Sequence, residues 1–259
     1  MGTVHKTAII DNNAKIGKNV TVGPNCIIGA NVTLGNNCIL QSNVIIEGHT
    51  TIGNNNCFFN SAVVGTIPQD LKYKNEPTEL VIGDNNTFRE FVTINTSATM
   101  EEPTTIGSDC LLMAYSHIAH NCQIGNKVII ANSVQLAGHI HIHDNVSIGG
   151  MTAVHQFVKI GKFAFVGGKS GIKKDVPPFT RGEGFPYYVA GLNTVGLQRS
   201  GFSKEVIYAL KKTYKLFYKS KMNRTQALEK AKHFENLLPE QKLFIDFVKE
   251  SERGISRGK

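Results

Sequence analysis

The sequence predicts a parallel β-helix followed by a small helical domain, and three observations carry that reading. Large apolar residues recur every six positions from Ile10 to Ile172. A glycine directly follows many of them, as at Ile16, Ile28, Ile52, Ile82, Ile106, Ile124, Ile148 and Ile160. Beyond Asp175 the period of six gives way to helical spacing.

The frame runs through Ile10, Ile16, Val22, Ile28, Leu34, Leu40, Ile46, Ile52 and Phe58, resumes at Ile82, Phe88 and Ile94, and continues from Ile106 to Ile172. Of its 28 positions only Asp70 and Glu76 are not apolar. Neither the helical period nor the strand period matches; a hexapeptide repeat does. Each hexad supplies a short strand and a tight turn, and three hexads close one triangular coil. Coils stacked in parallel lie about 4.8 Å apart. Two positions before each aliphatic is a second inward site, held by small residues such as Val20, Val32, Val44 and Val128. Cys26, Cys38, Cys110 and Cys122 share that phase and read as small core residues rather than nucleophiles or ligands. Cys57 falls outside it and receives no role. With no CxxC spacing among the 5 cysteines, neither a disulfide scaffold nor a zinc ribbon is expected.

Two stretches interrupt the frame. Residues 66–80, TIPQDLKYKNEPTEL, and residues 95–105, NTSATMEEPTT, are polar and proline-bearing and read as loops pushed out of the coil wall. The compact QDLK of the first is suited to reaching a neighbouring surface. The repeat ends near DVPPF (175–179), which places a β-helix over 1–190 and a helical domain over 191–259. There Ser203 caps a helix whose Val206, Ile207, Leu210, Tyr214 and Phe217 share a face. A second helix follows Thr225, and a third starts at Pro239 and runs toward Gly254.

The 259 residues contain no apolar run long enough to cross a membrane as a helix. The opening MGTVHKTAII lacks the apolar segment of a signal peptide, and Lys6 spoils a myristoylation pattern. A cytoplasmic protein without stable membrane insertion is expected. The net charge of +8 is concentrated: residues 1–198 hold 13 Lys and Arg against 13 Asp and Glu, whereas residues 199–259 hold 15 against 7. Such a segment attracts an anionic partner without specifying which.

The chemistry-bearing residues cluster in HIAHNCQIG (117–125) and GHIHIH (138–143). Gly138 follows His120 by three hexads, one full coil, and is expected directly above it, with His139 beside that glycine. His117 shares the coil of His120, and His155 lies about two coils above. Core packing requires none of these imidazoles. One reading is ordinary surface histidine. A second is a metal site: His139, His141 and His143 alternate outward around inward Ile140 and Ile142, and γ-class carbonic anhydrases also use a hexapeptide coil. The third is a general base at a subunit interface, since a neutral imidazole takes up a proton near pH 6.5.

HIAHNCQIG, LAGH (136–139), GGMTAVHQF (149–157), VGG (166–168), DVPPF and GLQRSGFS (196–203), with PQDLKYKNE in the first loop, resemble the UDP-N-acetylglucosamine O-acyltransferases over essentially the full length. The resemblance implies a left-handed β-helix assembled as a homotrimer with active sites between subunits. It implies transfer of an acyl chain, a 3-hydroxyacyl chain, from acyl carrier protein to the 3-position of the sugar nucleotide, the first step of lipid A biosynthesis. No cofactor, metal or nucleic acid is implied; the phosphopantetheine arm arrives as part of the donor. By the same resemblance His120 is the general base and the backbone N–H of Gly138 the oxyanion donor. Gln69, Asp70 and Lys72 would hold the sugar or the acyl head. His117, Asn121, His139, His155 and Gln156 would line the nucleotide-sugar cleft, with Asn193 and Arg199 toward the uridine and phosphate end. Phe165, Gly168 and Lys169 would border the acyl groove. The acidic carrier protein would meet the basic tail at Lys211, Lys212 and Lys215.

Three residues depart from the family pattern: Asn121 replaces an Asp, Ser200 a second arginine, and Val195 an acidic residue. An amide at 121 orients an imidazole without neutralising its charge, so an amine acceptor, which attacks as its free base, is expected to be preferred over a hydroxyl. The nearest rivals are a CoA-dependent hexapeptide acetyltransferase and a metalloenzyme resembling the γ-class carbonic anhydrases. An N-acyltransferase with an added N-terminal domain finds no room before hexads that begin by residue 10.

Overall fold

The computed structural model describes residues 2–259. Three sheets wall a triangular prism. The first holds nine strands from Ile9–Ile10 to Gly171–Ile172, and the second eight from Lys15–Ile16 to Lys159–Ile160. The third runs from Thr21–Val22 through Phe165–Val166 and gains two more strands at its C-terminal end. Neighbouring coils are parallel and offset by three hexads, as where Ile118 pairs with Leu136. The frame aliphatics fill the prism: Ile46, Phe58, Phe88 and Ile118 are all 0% exposed. Cys26, Cys38, Cys110 and Cys122 are likewise buried, and burial raises the pKa of each thiol, that of Cys122 to about 12, which leaves them inert. Cys57 points outward from the third sheet beside Thr87.

Both interruptions leave the prism at one edge, the corner between the first and second sheets. The chain departs after Val63–Thr66 and returns at Glu79–Ile82, then departs after Thr93–Asn95 and returns at Thr104–Ile106. Registers step by five hexads across the first (Thr50 pairs with Leu80) and by four across the second (Thr93 pairs with His117), in place of the usual three. Each excursion thus adds whole hexads, so the frame survives in the numbering. Met100, in frame, therefore sits 66% exposed in an excursion rather than in the core. The second excursion is not wholly expelled: Thr96 and Ser97 are buried, and Thr96 Oγ1 lies 3.1 Å from Thr78 Oγ1 at the root of the first.

The expected boundary at 190 cuts a strand. Thr180–Glu183 pairs in parallel with Phe165–Val166 and antiparallel with Tyr188–Leu192, so the third sheet continues past it. A short helix not anticipated from the sequence, α1 (Thr194–Arg199), follows. Next come α2 (Lys204–Tyr218), capped by Ser203 as expected, α3 (Arg224–Ala231) and α4 (Pro239–Glu250). Leu210, Phe244 and Val248 join these helices to the main core. The chain end then returns to the last coil, where Ile255 pairs with Asp175 and Gly258 with Val189. Buried Asp175 anchors this return, accepting from Ser251 Oγ (2.6 Å) and from the Lys159 N–H (2.8 Å).

Candidate active site

The corner from which both excursions emerge also carries the histidines. Its turns place Asn121, His139 and Phe157 in the left-handed region at φ 56°, 59° and 64°. That conformation comes readily to Asn, is tolerated by His and is strained for a bulky Phe. His139 N–H donates to the His120 carbonyl (3.0 Å) and Phe157 N–H to that of Gly138 (3.2 Å), which stacks the three coils in line. The ring of His139 lies on Phe157 (4.7 Å between centroids, 17°) and meets the His120 ring edge-on (5.1 Å, 88°).

Gly138 is the bare position of this column. A Cβ there would come 2.5 Å from His120 Cε1 and 2.7 Å from Nε2, so the imidazole lies against the glycine backbone because no side chain stands between them. Among the described residues the Gly138 N–H donates to no protein acceptor. It is an unpaired donor on a buried glycine beside the ring.

Hydrogen bonding fixes which nitrogen of His120 carries the proton. The Asn121 amide is held by the second excursion: Oδ1 accepts from the Ala98 N–H (2.9 Å), and Nδ2 donates to the Glu102 carbonyl (3.0 Å). The oxygen is thereby turned toward His120 Nδ1 at 3.0 Å, which must be the donor. In the neutral ring Nε2 then carries the lone pair, and it faces Asp70 Oδ2 at 3.8 Å across a gap wider than a hydrogen bond. Asp70 is braced in turn, since its Oδ1 accepts the Lys72 N–H at 2.9 Å. A proton gained at Nε2 would meet a carboxylate. Burial, and second the charge of His120, lower the pKa of His117 and His139, which favours the neutral form of both neighbours of His120. His117 Nδ1 is also tied to Thr93 Oγ1 at 2.7 Å.

Profile comparison matches residues 175–256 to the family described as Udp N-acetylglucosamine O-acyltransferase, Domain 2. A bacterial transferase hexapeptide profile matches 103–138, and one for a GMPPB C-terminal domain matches 2–99. The acyl-[acyl-carrier-protein]–UDP-N-acetylglucosamine O-acyltransferase of Chlamydia caviae is 48% identical over 259 residues, 100% of this chain and 93% of its own. That of Thermodesulfovibrio yellowstonii is 47% identical, covering 99% of this chain and 100% of its own. The solved structure of LpxA from Acinetobacter baumannii superposes with a TM-score of 0.94 at 45% identity, covering 98% of this chain and 99% of that one. The chain belongs to the UDP-N-acetylglucosamine O-acyltransferase family. It is an acyltransferase, and its coil is the left-handed parallel β-helix of that family.

Within one protomer of this acyltransferase the expected site residues fall into two groups. His117, His120, Gly138, His139 and Asp70 share the histidine corner, while Gln69 and Lys72 stand exposed on the excursion next to it. Phe165, Asn193 and Arg199 instead line a cavity of about 820 Å³ over the third sheet, with Arg181, Val195 and Ser200. Asn193 is partly committed there: its Oδ1 caps α1 at Gly196 N–H and its Nδ2 donates to the Phe163 carbonyl. Gly168 and Lys169 lie exposed at the corner between the third and first sheets and line neither site.

Two expectations change. Asn121 does not line a cleft: it is 1% exposed, and its amide is consumed by the second excursion and His120. The row GHIHIH does not converge, because His139 joins the corner, His141 pairs with Lys159 on the second sheet, and His143 turns toward Phe247. Sequence reasoning missed Phe157 as the platform for His139 and Arg253, whose Nη2 lies 3.3 Å from His155 Nδ1. The step of one coil from His139 flags Phe157. No local signal flags Arg253, which lies far from its partner in the chain.

Proposed function

We propose that this enzyme transfers an acyl chain, a 3-hydroxyacyl chain, from acyl carrier protein to the 3-position of UDP-N-acetylglucosamine or its 3-amino analogue, opening lipid A biosynthesis in the cytoplasm. The observation that carries the reading is His120. In the neutral ring the proton is assigned to Nδ1, the Nε2 lone pair faces a carboxylate, and an unpaired backbone N–H lies beside the ring. Nε2 takes the proton of the attacking group as it closes on the thioester carbonyl, with Asp70 stabilising the imidazolium. The Gly138 N–H receives the developing oxyanion, and collapse expels the carrier thiolate, which recovers a proton from His120. Asn121 is a positioning residue that fixes tautomer and ring plane.

The reading includes a homotrimer. The histidine corner and the Phe165, Asn193 and Arg199 cavity, apart in one protomer, would face each other between neighbours, with Gln156, Gly168 and Lys169 along the seam. Lys211, Lys212 and Lys215, exposed on α2, would steer the acidic carrier protein.

The acceptor atom follows from Asn121. A sugar hydroxyl must lose its proton as the bond forms, whereas an amine attacks as its free base and asks less of His120. With one acyl carrier protein as donor, kcat/KM is expected to be higher for the 3-amino sugar nucleotide than for UDP-N-acetylglucosamine. Asn121→Asp should raise hydroxyl turnover more than amine turnover. Equal or better turnover of the hydroxyl sugar by the unmodified enzyme would overturn the amine assignment, and absence of acyl transfer to either would overturn the function.

A further inference from the structure

Above the histidine corner, toward the C-terminal end of the prism, lies a cleft of about 630 Å³ whose role the chemistry so far leaves open. Its walls are Phe157, Lys159, Lys173, Lys174, Asp175, Glu252 and Arg253. Four of these are cations, and among the described residues none lies within ion-pair distance of a carboxylate. The two acids do not neutralise them. Asp175 is buried and spends its oxygens on Ser251 and the Lys159 N–H, while Glu252 is exposed. Arg253 is aimed rather than loose: Nε and Nη2 both donate to the Lys173 carbonyl (3.3 and 3.2 Å), which leaves Nη1 open. With four cations against two acids the cleft carries net positive charge, which an anion would offset.

The cleft is continuous with the reacting centre. His155 N–H donates to the Ile172 carbonyl, so Lys174 stands one coil above Gln156, as Gln156 does above Gly138 and Gly138 above His120. Phe157, which carries His139, is also a wall of the cleft. Three coils at about 4.8 Å place Lys173 and Lys174 roughly 14 Å above the level of His120, with Lys159 one coil nearer. That distance separates the two phosphate sources. The 3-position of the sugar is five bonds from its nearer phosphorus and reaches about 6 Å, whereas thirteen bonds of pantetheine, at the ~3.5 Å per three bonds of an extended chain, reach about 15 Å.

We propose that Lys159, Lys173, Lys174 and Arg253 form the site for the phosphodiester of the donor's phosphopantetheine arm, which runs from the thioester at His120 past Gly138 and Phe157. The proposal rests on the acyltransferase reading and adds to it the path of the donor. The folded C-terminal tail thereby contributes Arg253 to donor binding, and Lys173 both orients that arginine through its carbonyl and adds a cation.

The test compares binding of 3-hydroxyacyl-phosphopantetheine and 3-hydroxyacyl-pantetheine to the full-length enzyme by calorimetry, alongside steady-state KM for acyl carrier protein and for the sugar nucleotide. The phosphorylated arm should bind the unmodified enzyme more tightly. Lys159→Gln and Lys174→Gln should each weaken it about threefold to fivefold, as expected for partly exposed ion pairs, and leave the dephosphorylated arm unchanged. Arg253→Gln should act likewise, with thermal unfolding showing that the tail stays docked; the two lysine variants leave the anchor intact. Equal binding of both arms, including binding of neither, overturns the proposal. So does a variant effect confined to KM for the sugar nucleotide, which would assign the cleft to the diphosphate. Loss of the wider acyltransferase reading would show separately, as absence of transfer by the unmodified enzyme.

Discussion

At the corner between the second and third sheets, Asn19, Asn37, Asn55, Asn85 and Asp109 take left-handed φ values of 57° to 61° and hand a hydrogen bond from each coil to the next. At the corner between the first and second sheets the same backbone turn carries Asn121, His139 and Phe157. There the side-chain links are ring contacts and bonds to the excursions, beside the backbone bonds between coils. Up to Asp109 the first corner uses residues that suit the backbone and satisfy themselves along the stack, and Lys127 and Phe163 take the same turn farther up at φ 56° and 58°. The second places Phe157 at φ 64°, a conformation that a bulky side chain adopts reluctantly, and the packing around it must supply the difference. A turn repeated for structure can be turned to chemistry when polar groups that would pair along the stack are left to face a substrate.

Substitutions can break this contrast. His120→Ala, on the chemical corner, should lower acyl transfer on the order of 10²-fold to 10⁴-fold, the usual contribution of a general base, with the coil still folded by circular dichroism. More than about a tenth of the original rate would remove His120 from that role. Gly138→Ala should come next. Its methyl would displace the imidazole, and a misplacement of about 1 Å costs up to ~10²-fold, so kcat should fall with little change in melting temperature.

On the structural corner the sign reverses. Asn55→Ala removes bonds to Asn37 and Asn85 and leaves alanine at φ 57°, which should lower unfolding free energy by about 1–2 kcal/mol. The kcat should be unchanged, and Asn55→Gly should recover part of the loss. A comparable fall in kcat would erase the distinction between the corners. Smallest is the effect of charge reversal at Lys211, Lys212 and Lys215. The KM for the carrier protein should rise a few-fold at low salt and converge on the original value at high salt. An unchanged KM at low salt would discard this patch as the carrier's landing site.

The prism was legible because its cause is local and repeated: an aliphatic every sixth residue fills a triangular core, and small residues such as Val128 and Cys122 in the second inward phase complete it. The stacking of Gly138 on His120 was legible for the same reason, since a coil of three hexads turns sequence distance into contact. The excursions were visible as breaks. Their common exit edge was harder to see, although counting sheets around the prism predicts it. Asn121 shows the limit: as a substitution it suggested a weaker partner for the base, but that its oxygen faces His120 follows from Ala98 and Glu102 on a segment outside the repeat.

The sequence by itself therefore determined the coil, its core, its turns and the alignment of His120 with Gly138, all of which follow from periodicity. Tertiary structure alone decided the proton on Nδ1, the carboxylate of Asp70 opposite Nε2, and the return of Arg253 to His155. These contacts join segments outside any period, and their geometry depends on where whole excursions and the C-terminal tail come to rest against the coil, which no local pattern of residues encodes.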